Sequence, residues 1–226
     1  MDPKQFFEEN GYVISRGLFD ARECAEMKAE IRRMLETHKD HSGVMVGLAA
    51  NSPYFQNVAR NPRLLDALEE VMGPNIEFLS DKVVFKSATT DFGSPWHQDW
   101  HYWHGAHKIS VWVSLDEATP ENGCLKLLPG SHKSVAVHDG AADDGHGFGQ
   151  RLRPDAVDES QAAIAPCQPG DAIIFHDLTL HASFRNTSGK DRWALISTYR
   201  SASEPDMQYD WAVAAEVVRG ARVSTV

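Results

Sequence analysis

Apolar residues recur at helical spacing in the first third of the chain and at strand spacing after it. Asp20 is suited to accept from the first free amides of a helix. After it, Cys24, Met27, Ile31, Met34 and Leu35 fall on one face and predict a helix running to His38. Asn61-Pro62 opens another, with Leu64, Leu65, Leu68 and Val71 on one side, and Gly73-Pro74 stops it. Nearer the start, Phe6 and Phe7 precede a turn at Gly11. The Gly-, Ala- and Asn-rich stretch from Ser42 to Tyr54 predicts a surface loop at the rim of a pocket.

From Ile76 the pattern changes to short apolar or alternating runs separated by Gly, Pro and Asn: 76–85, 109–115, 125–128, 172–175 and 194–199. Helices followed by many short strands predict a mainly β protein with N-terminal helices, built as a double-stranded β-helix (a jelly-roll, cupin-like barrel). A chain of 226 residues is expected to form one domain over 1–226. Within it we expect a helical part at 1–75, a jelly-roll core at 76–202 and a C-terminal extension at 203–226. The Gly- and Asp-rich segment 138–161 has little periodicity, as a lid or an excursion would.

Composition narrows the partners. Hydrophobic residues make up 42% and charged residues 24%, ordinary for a globular chain. Lys and Arg number 22 against 32 Asp and Glu, and the net charge of −10 opposes binding to nucleic acid or anionic membranes. The opening Met1-Asp2-Pro3-Lys4 does not resemble a secretory signal, and no apolar run approaches the roughly 20 residues that span a bilayer. Cys24, Cys124 and Cys167 are odd in number and widely spaced, which predicts free thiols in a reducing compartment, with the cytoplasm as the expected location. Nothing in the pattern decides between a monomer and a homodimer.

The chemistry starts at Trp96-His97-Gln98-Asp99. His-x-Asp puts an imidazole and a carboxylate on the same side of an extended chain, and a distant second histidine would complete the two-His-one-carboxylate face that holds Fe(II) with positions left open. By itself the pair reads more readily as a surface hydrogen-bonding couple than as a metal site. Of the 11 histidines, His181 and His176 both follow the Gly170-Asp171 turn. His181 is preferred because Ser183, Asn186 and Arg192 follow it, and Arg192 could grip an organic acid through both carboxylate oxygens.

Over most of its length the sequence resembles the phytanoyl-CoA dioxygenase family of Fe(II)/2-oxoglutarate oxygenases. The resemblance rests on His97-Gln98-Asp99-Trp100-His101-Tyr102, on the run from Glu121-Asn122-Gly123-Cys124 to Pro129-Gly130-Ser131-His132-Lys133, and on Gly170-Asp171-Ala172-Ile173-Ile174-Phe175-His176 continuing through His181-Ala182-Ser183 to Asn186 and Arg192. Phe7-Glu8-Glu9-Asn10-Gly11-Tyr12 and Gly73-Pro74-Asn75-Ile76 also look like family segments. The resemblance implies His97, Asp99 and His181 as iron ligands, with Arg192 on the far carboxylate of 2-oxoglutarate and Ser183 as a second donor. It further implies that Lys86 positions the co-substrate and that Gln98 and Trp112 lie in the pocket near it. Dioxygen is the other reactant. Lys86 could instead be a solvated strand end, and Trp112 a core residue. Halogenating relatives carry a small residue at the carboxylate position, so Asp99 predicts oxygenation.

The substrate is expected to be a small or medium organic molecule. His101, Tyr102 and Trp103 are candidate pocket residues, although alternate members of that aromatic cluster could equally pack the barrel. His107 and His132 are expected to be structural, and His138 and His146 solvent-exposed. A metal-dependent cupin-type isomerase or hydrolase would not need Arg192. A non-catalytic small-molecule-binding barrel would need none of the four.

Overall fold

The computed structural model describes residues 2–37, 43–138 and 148–222. The chain begins with α1 (Pro3–Asn10), β1 (Tyr12–Ser15) and α2 (Ala21–Leu35). The α2 start is a reciprocal cap: the Glu23 amide donates to the Asp20 carboxylate at 2.8 Å, and the Asp20 amide to the Glu23 carboxylate at 2.7 Å. Next come β2 (Val44–Val46), α3 (Leu48–Asn51), α4 (Pro53–Ala59) and α5 (Pro62–Met72). Asn61 caps α5 by accepting from the Arg63 amide at 3.0 Å. His38, the expected end of α2, lies outside the described residues.

The rest is mostly strand: β3 (Ile76–Lys86), a single helical turn α6 (Trp100–Trp103), β4 (Lys108–Ser114), β5 (Leu125–Leu127), β6 (Ala163–Ala165), β7 (Ala172–His176), β8 (His181–Ser183), β9 (Arg192–Ser201) and β10 (Glu216–Arg219). One sheet runs β1-β7-β4-β9-β3-β10, with β2 also paired to β3, and a three-stranded sheet runs β6-β5-β8. The pairings are antiparallel. This is the jelly-roll expected from the pattern, with helices on one face.

Two apolar layers follow from the alternation of side chains along each strand. One face of the large sheet, with Val83, Val111, Ile174, Leu195 and Tyr199, packs on Met27, Ile31, Leu64 and Leu68 of the helices. The opposite face, with Trp112, Ile173, Phe175 and Ala194, meets Leu125 and Leu127 of the small sheet. The site lies in this second layer.

The stretch expected as a surface loop from Ser42 to Tyr54 is not one. Its described part forms β2 and α3, burying Met45, Leu48 and Ala49, because the Ala49 amide donates to the buried Asp81 carboxylate on β3. Ser42 itself lies outside the described residues. The end of the chain also joins the large sheet, where β10 pairs with β3 and a buried ion network ties it down. Asp206 accepts from Lys108 at 3.0 Å and from Arg200 at 2.9 Å, and Arg200 also donates to Glu77 at 2.7 Å. Among the described residues no helix is long and apolar enough to cross a membrane.

Leu68 is fully buried between α5 and the sheet. Leu68→Ala should lower unfolding free energy by about 2–5 kcal/mol in urea titrations, as lost burial plus a cavity predicts. A loss below about 1 kcal/mol would mean that the helical layer is not part of the cooperative core.

Candidate metal and co-substrate site

His97 and His181 are far apart in sequence but adjacent in space, because their backbones form an isolated antiparallel bridge. Each amide donates to the other's carbonyl at 3.1 Å, extending the small sheet beyond β8. Facing residues of such a pair point to the same side, so the imidazoles stand next to each other with ring centroids 4.2 Å apart. Both rings are oriented alike. His97 Nδ1 bonds the Pro95 carbonyl at 2.8 Å and His181 Nδ1 bonds the Thr179 carbonyl at 2.9 Å. With Nδ1–H donating in each, the Nε2 lone pairs are left for a third party.

That third position is next to Asp99. Its Oδ1 lies 3.6 Å from His97 Nε2 and 3.8 Å from His181 Nε2, and its Oδ2 accepts from Ser110 Oγ at 3.1 Å. All three groups are buried. Burial would raise the Asp99 carboxyl, but His181 and His97 outweigh it and hold it below the ordinary carboxylate range. Burial, then the neighbouring His97, pulls His181 down to about 4. The set thus presents two imidazole Nε2 atoms and one carboxylate, the donor types that suit a divalent transition metal.

In the same cavity, β3 and β9 set Lys86 directly opposite Arg192. Two cations facing each other across a sheet repel, and both are almost wholly buried. Gly123 makes this possible. At φ +99° a Cβ there would come within 2.9 Å of Lys86 Nζ and 2.8 Å of the Phe184 carbonyl. Lys86 Nζ donates to Ser183 Oγ at 2.8 Å and the Phe184 carbonyl at 2.6 Å, and Ser183 Oγ also accepts from the Ser94 amide at 2.9 Å. Burial, with Arg192 beside it, depresses the Lys86 ammonium to about 6.

Arg192 is the least satisfied group of the site. Its guanidinium lies over the Trp112 ring at 5.4 Å, and burial lowers its pKa to about 10. Nε and Nη1 are buried with no hydrogen-bond partner among the described residues. A buried charged donor without an acceptor is costly, and a carboxylate arriving from the cavity would supply one. The donor set and this orphan cation together fit a metal and a dicarboxylate co-substrate.

A family model described as phytanoyl-CoA dioxygenase matches residues 7–194. The chain belongs to the phytanoyl-CoA dioxygenase family. Among relatives, an L-proline trans-4-hydroxylase of Streptomyces griseoviridis is 31% identical over 63% of this chain and 61% of its own length, so the chain spans about three fifths of that enzyme. An ectoine dioxygenase of Stutzerimonas stutzeri (strain A1501) is 29% identical over 85% of this chain and 74% of its own. The fold matches that of the epimerase SnoN, solved with Fe3+, alpha-ketoglutarate and nogalamycin RO. The TM-score is 0.74 at 20% identity, covering 99% of this chain and 94% of that one. This phytanoyl-CoA dioxygenase family member is thus an enzyme of the iron- and 2-oxoglutarate-dependent oxygenase class.

Not every expected residue faces the cavity. Gln98 points away between the two donors: it donates to the Ser134 and Leu178 carbonyls at 2.9 and 2.7 Å and accepts from the Ala136 amide at 2.8 Å, pinning that loop. Trp103 donates to Asp177 at 3.0 Å and stacks near Trp211 at 5.7 Å, so it supports the fold. His101 Nε2 bonds the Ala136 carbonyl at 3.0 Å and its ring lies 3.7 Å from that of His138. Tyr102 is exposed, with its ring 6.1 Å from His97 and its hydroxyl on the Gln150 carbonyl. His138, expected in solvent, is half-buried and accepts from the Gln98 amide at 3.0 Å. His146 lies outside the described residues, as does 139–147 of the expected lid. His176, the other candidate for the distal donor, faces Asp177 and His107 instead.

Conversely, Lys82, Phe92, Ser94 and Phe148 line the cavity without having been expected there. Lys82 and Val84 were legible in principle, since they share a strand face with Lys86.

The Lys86 shift has a sign that can be checked. A lysine depressed from about 10.4 to about 6 binds its proton in the unfolded but not the folded chain between those values. Ligand-free stability should therefore rise with pH across that window, and an anion bound beside Lys86 should draw a proton in. Calorimetry of 2-oxoglutarate binding at mildly alkaline pH, in buffers of different ionisation enthalpy, should show proton uptake that disappears in Lys86→Met. Equal uptake by both proteins would contradict the assignment.

Proposed function

We propose that the protein hydroxylates a small or medium organic molecule, with 2-oxoglutarate consumed to succinate and carbon dioxide. The observation that carries this reading is the buried, unpartnered Arg192 guanidinium facing the same cavity as His97, Asp99 and His181. Those three residues would hold Fe(II), and Asp99 occupies the position that a halogenating site would leave open. Iron, when bound, would activate dioxygen, and 2-oxoglutarate would supply two of the four electrons that reduce it, the substrate supplying the other two.

The chain's own residues then bind and orient. Arg192 takes the far carboxylate through Nε and Nη1, and Lys86 and Ser183 donate beside it. Trp112 covers the guanidinium on one side and keeps water from it. The Pro95 and Thr179 carbonyls fix the two imidazoles, and Ser110 fixes the carboxylate, so that all three side chains would hold the metal at the cavity wall. Relatives named for proline and ectoine support a small-molecule substrate. A metal-dependent isomerase or hydrolase has no use for a buried Arg192 without an anion, which sets it behind the oxygenase reading.

Asp99→Ala should abolish substrate-dependent succinate formation from 2-oxoglutarate under iron and oxygen, scored by succinate release and product mass across a substrate panel. Unchanged turnover would remove Asp99 from the metal set. Arg192→Met should weaken 2-oxoglutarate binding roughly 100-fold, the loss of about two charge-assisted hydrogen bonds. Unchanged affinity would show that the co-substrate is anchored elsewhere.

A further inference from the structure

The proposed reaction leaves Lys82 without a role. It lies on β3, on the same inner face as Val84 and Lys86, and lines the cavity. Lys86 stands opposite Arg192, whereas Lys82 stands opposite Ile196, four residues or roughly 13 Å further along the strand. Across the next pairing Ile196 meets Trp112, and two residues from Trp112 is Ser110, the partner of Asp99. Lys82 therefore sits at the depth of the metal donors and well past the co-substrate anchor. Its charge acts on both Asp99 and His181.

Among the described residues no carboxylate or carbonyl accepts from the Lys82 ammonium, although each neighbouring cation of the barrel interior except Arg192 has protein partners. Lys86 has Ser183 and Phe184, and Lys108 has Asp206. The charges of a loaded site sharpen this. A divalent iron, the Asp99 carboxylate, the 2-oxoglutarate dianion and the Arg192 guanidinium cancel. Lys82, half-buried on the cavity wall, then adds positive charge that this set does not balance, and a proton on Lys86 only adds to the excess. Ile196 faces Lys82 across the sheet, Val84 follows it on the same strand face, and Phe148, 5.1 Å from the His97 ring, lines the same cavity.

On the oxygenase function proposed above, we further propose that the substrate carries an anionic group, a carboxylate or a phosphate-type group, on an apolar body. Lys82 binds the anion, and the body lies against Val84, Phe148 and Ile196 beside the metal donors. Selectivity follows from the same physics. A neutral analogue would cover the ammonium without pairing it, so it is discriminated against by charge, while the apolar wall tolerates variation in the body.

The test uses the full chain loaded with Mn(II) and 2-oxoglutarate, which forms the site without turnover. Hexanoate, hexyl phosphate and hexanamide are titrated by calorimetry. At least one anion should bind about tenfold or more tighter than the amide, the size of one charge-assisted hydrogen bond. The preference should fall to about one in Lys82→Met, survive in Lys82→Arg, and leave 2-oxoglutarate affinity as in wild type. Equal binding of all three probes overturns the proposal. So does the lack of saturable binding by either anion, a preference that persists in Lys82→Met, or loss of 2-oxoglutarate binding in that variant, which would assign Lys82 to the co-substrate. Failure of the wild-type protein to bind Mn(II) and 2-oxoglutarate would instead sink the oxygenase reading itself.

Discussion

Two reciprocal backbone hydrogen bonds between His97 and His181 hold the site together. Without them the donors would belong to separate segments, one before α6 and one on β8, each free to rotate. The bridge sets both imidazoles on one side and at one height. The carbonyl two residues before each histidine then fixes which nitrogen keeps its proton. Asp99 needs only the next turn of chain to reach the same point. The small sheet thus orients the candidate metal donors by its hydrogen-bond ladder, and their geometry survives as long as that ladder does.

The large sheet supplies the opposing element, a pair of like charges that nothing in the described protein neutralises. Lys86 and Arg192 face each other in a dry interior, and the chain tolerates this by two different routes. Lys86 loses its proton readily and keeps two acceptors, whereas Arg192 keeps its charge and goes without at two nitrogens. Burying these cations costs stability, a common trade at functional sites, and an anion bound there would recover it. Gly123 belongs to the same arrangement, because any side chain at that position would collide with the lysine.

How far the site could be read before folding depends on spacing. His97 and Asp99 were legible because alternation alone puts residues two apart on one face. The same alternation sends Gln98 to the other side, where it pins the 134–136 loop. Lys82 shares the face of Lys86 for that reason too, and strand alternation could have found it. His101 and Trp103 were misleading because their surroundings come from elsewhere in the chain, from the 136–138 segment and from Asp177 and Trp211. The Ser42 to Tyr54 stretch looked like a loop because its order comes from Asp81, a partner far away in sequence.

Local pattern by itself determined the helical beginning, the strands that follow, the jelly-roll class and the residue types of the metal face. These depend on periodicity, caps and donor chemistry, all carried by neighbours in the chain. Tertiary structure alone decided how closely His181 stands beside His97, that Arg192 is left without an acceptor at two nitrogens, and that Lys82 shares the cavity with both histidines. Each of those is a matter of cross-strand register and burial, which arise only when distant segments pair and exclude water.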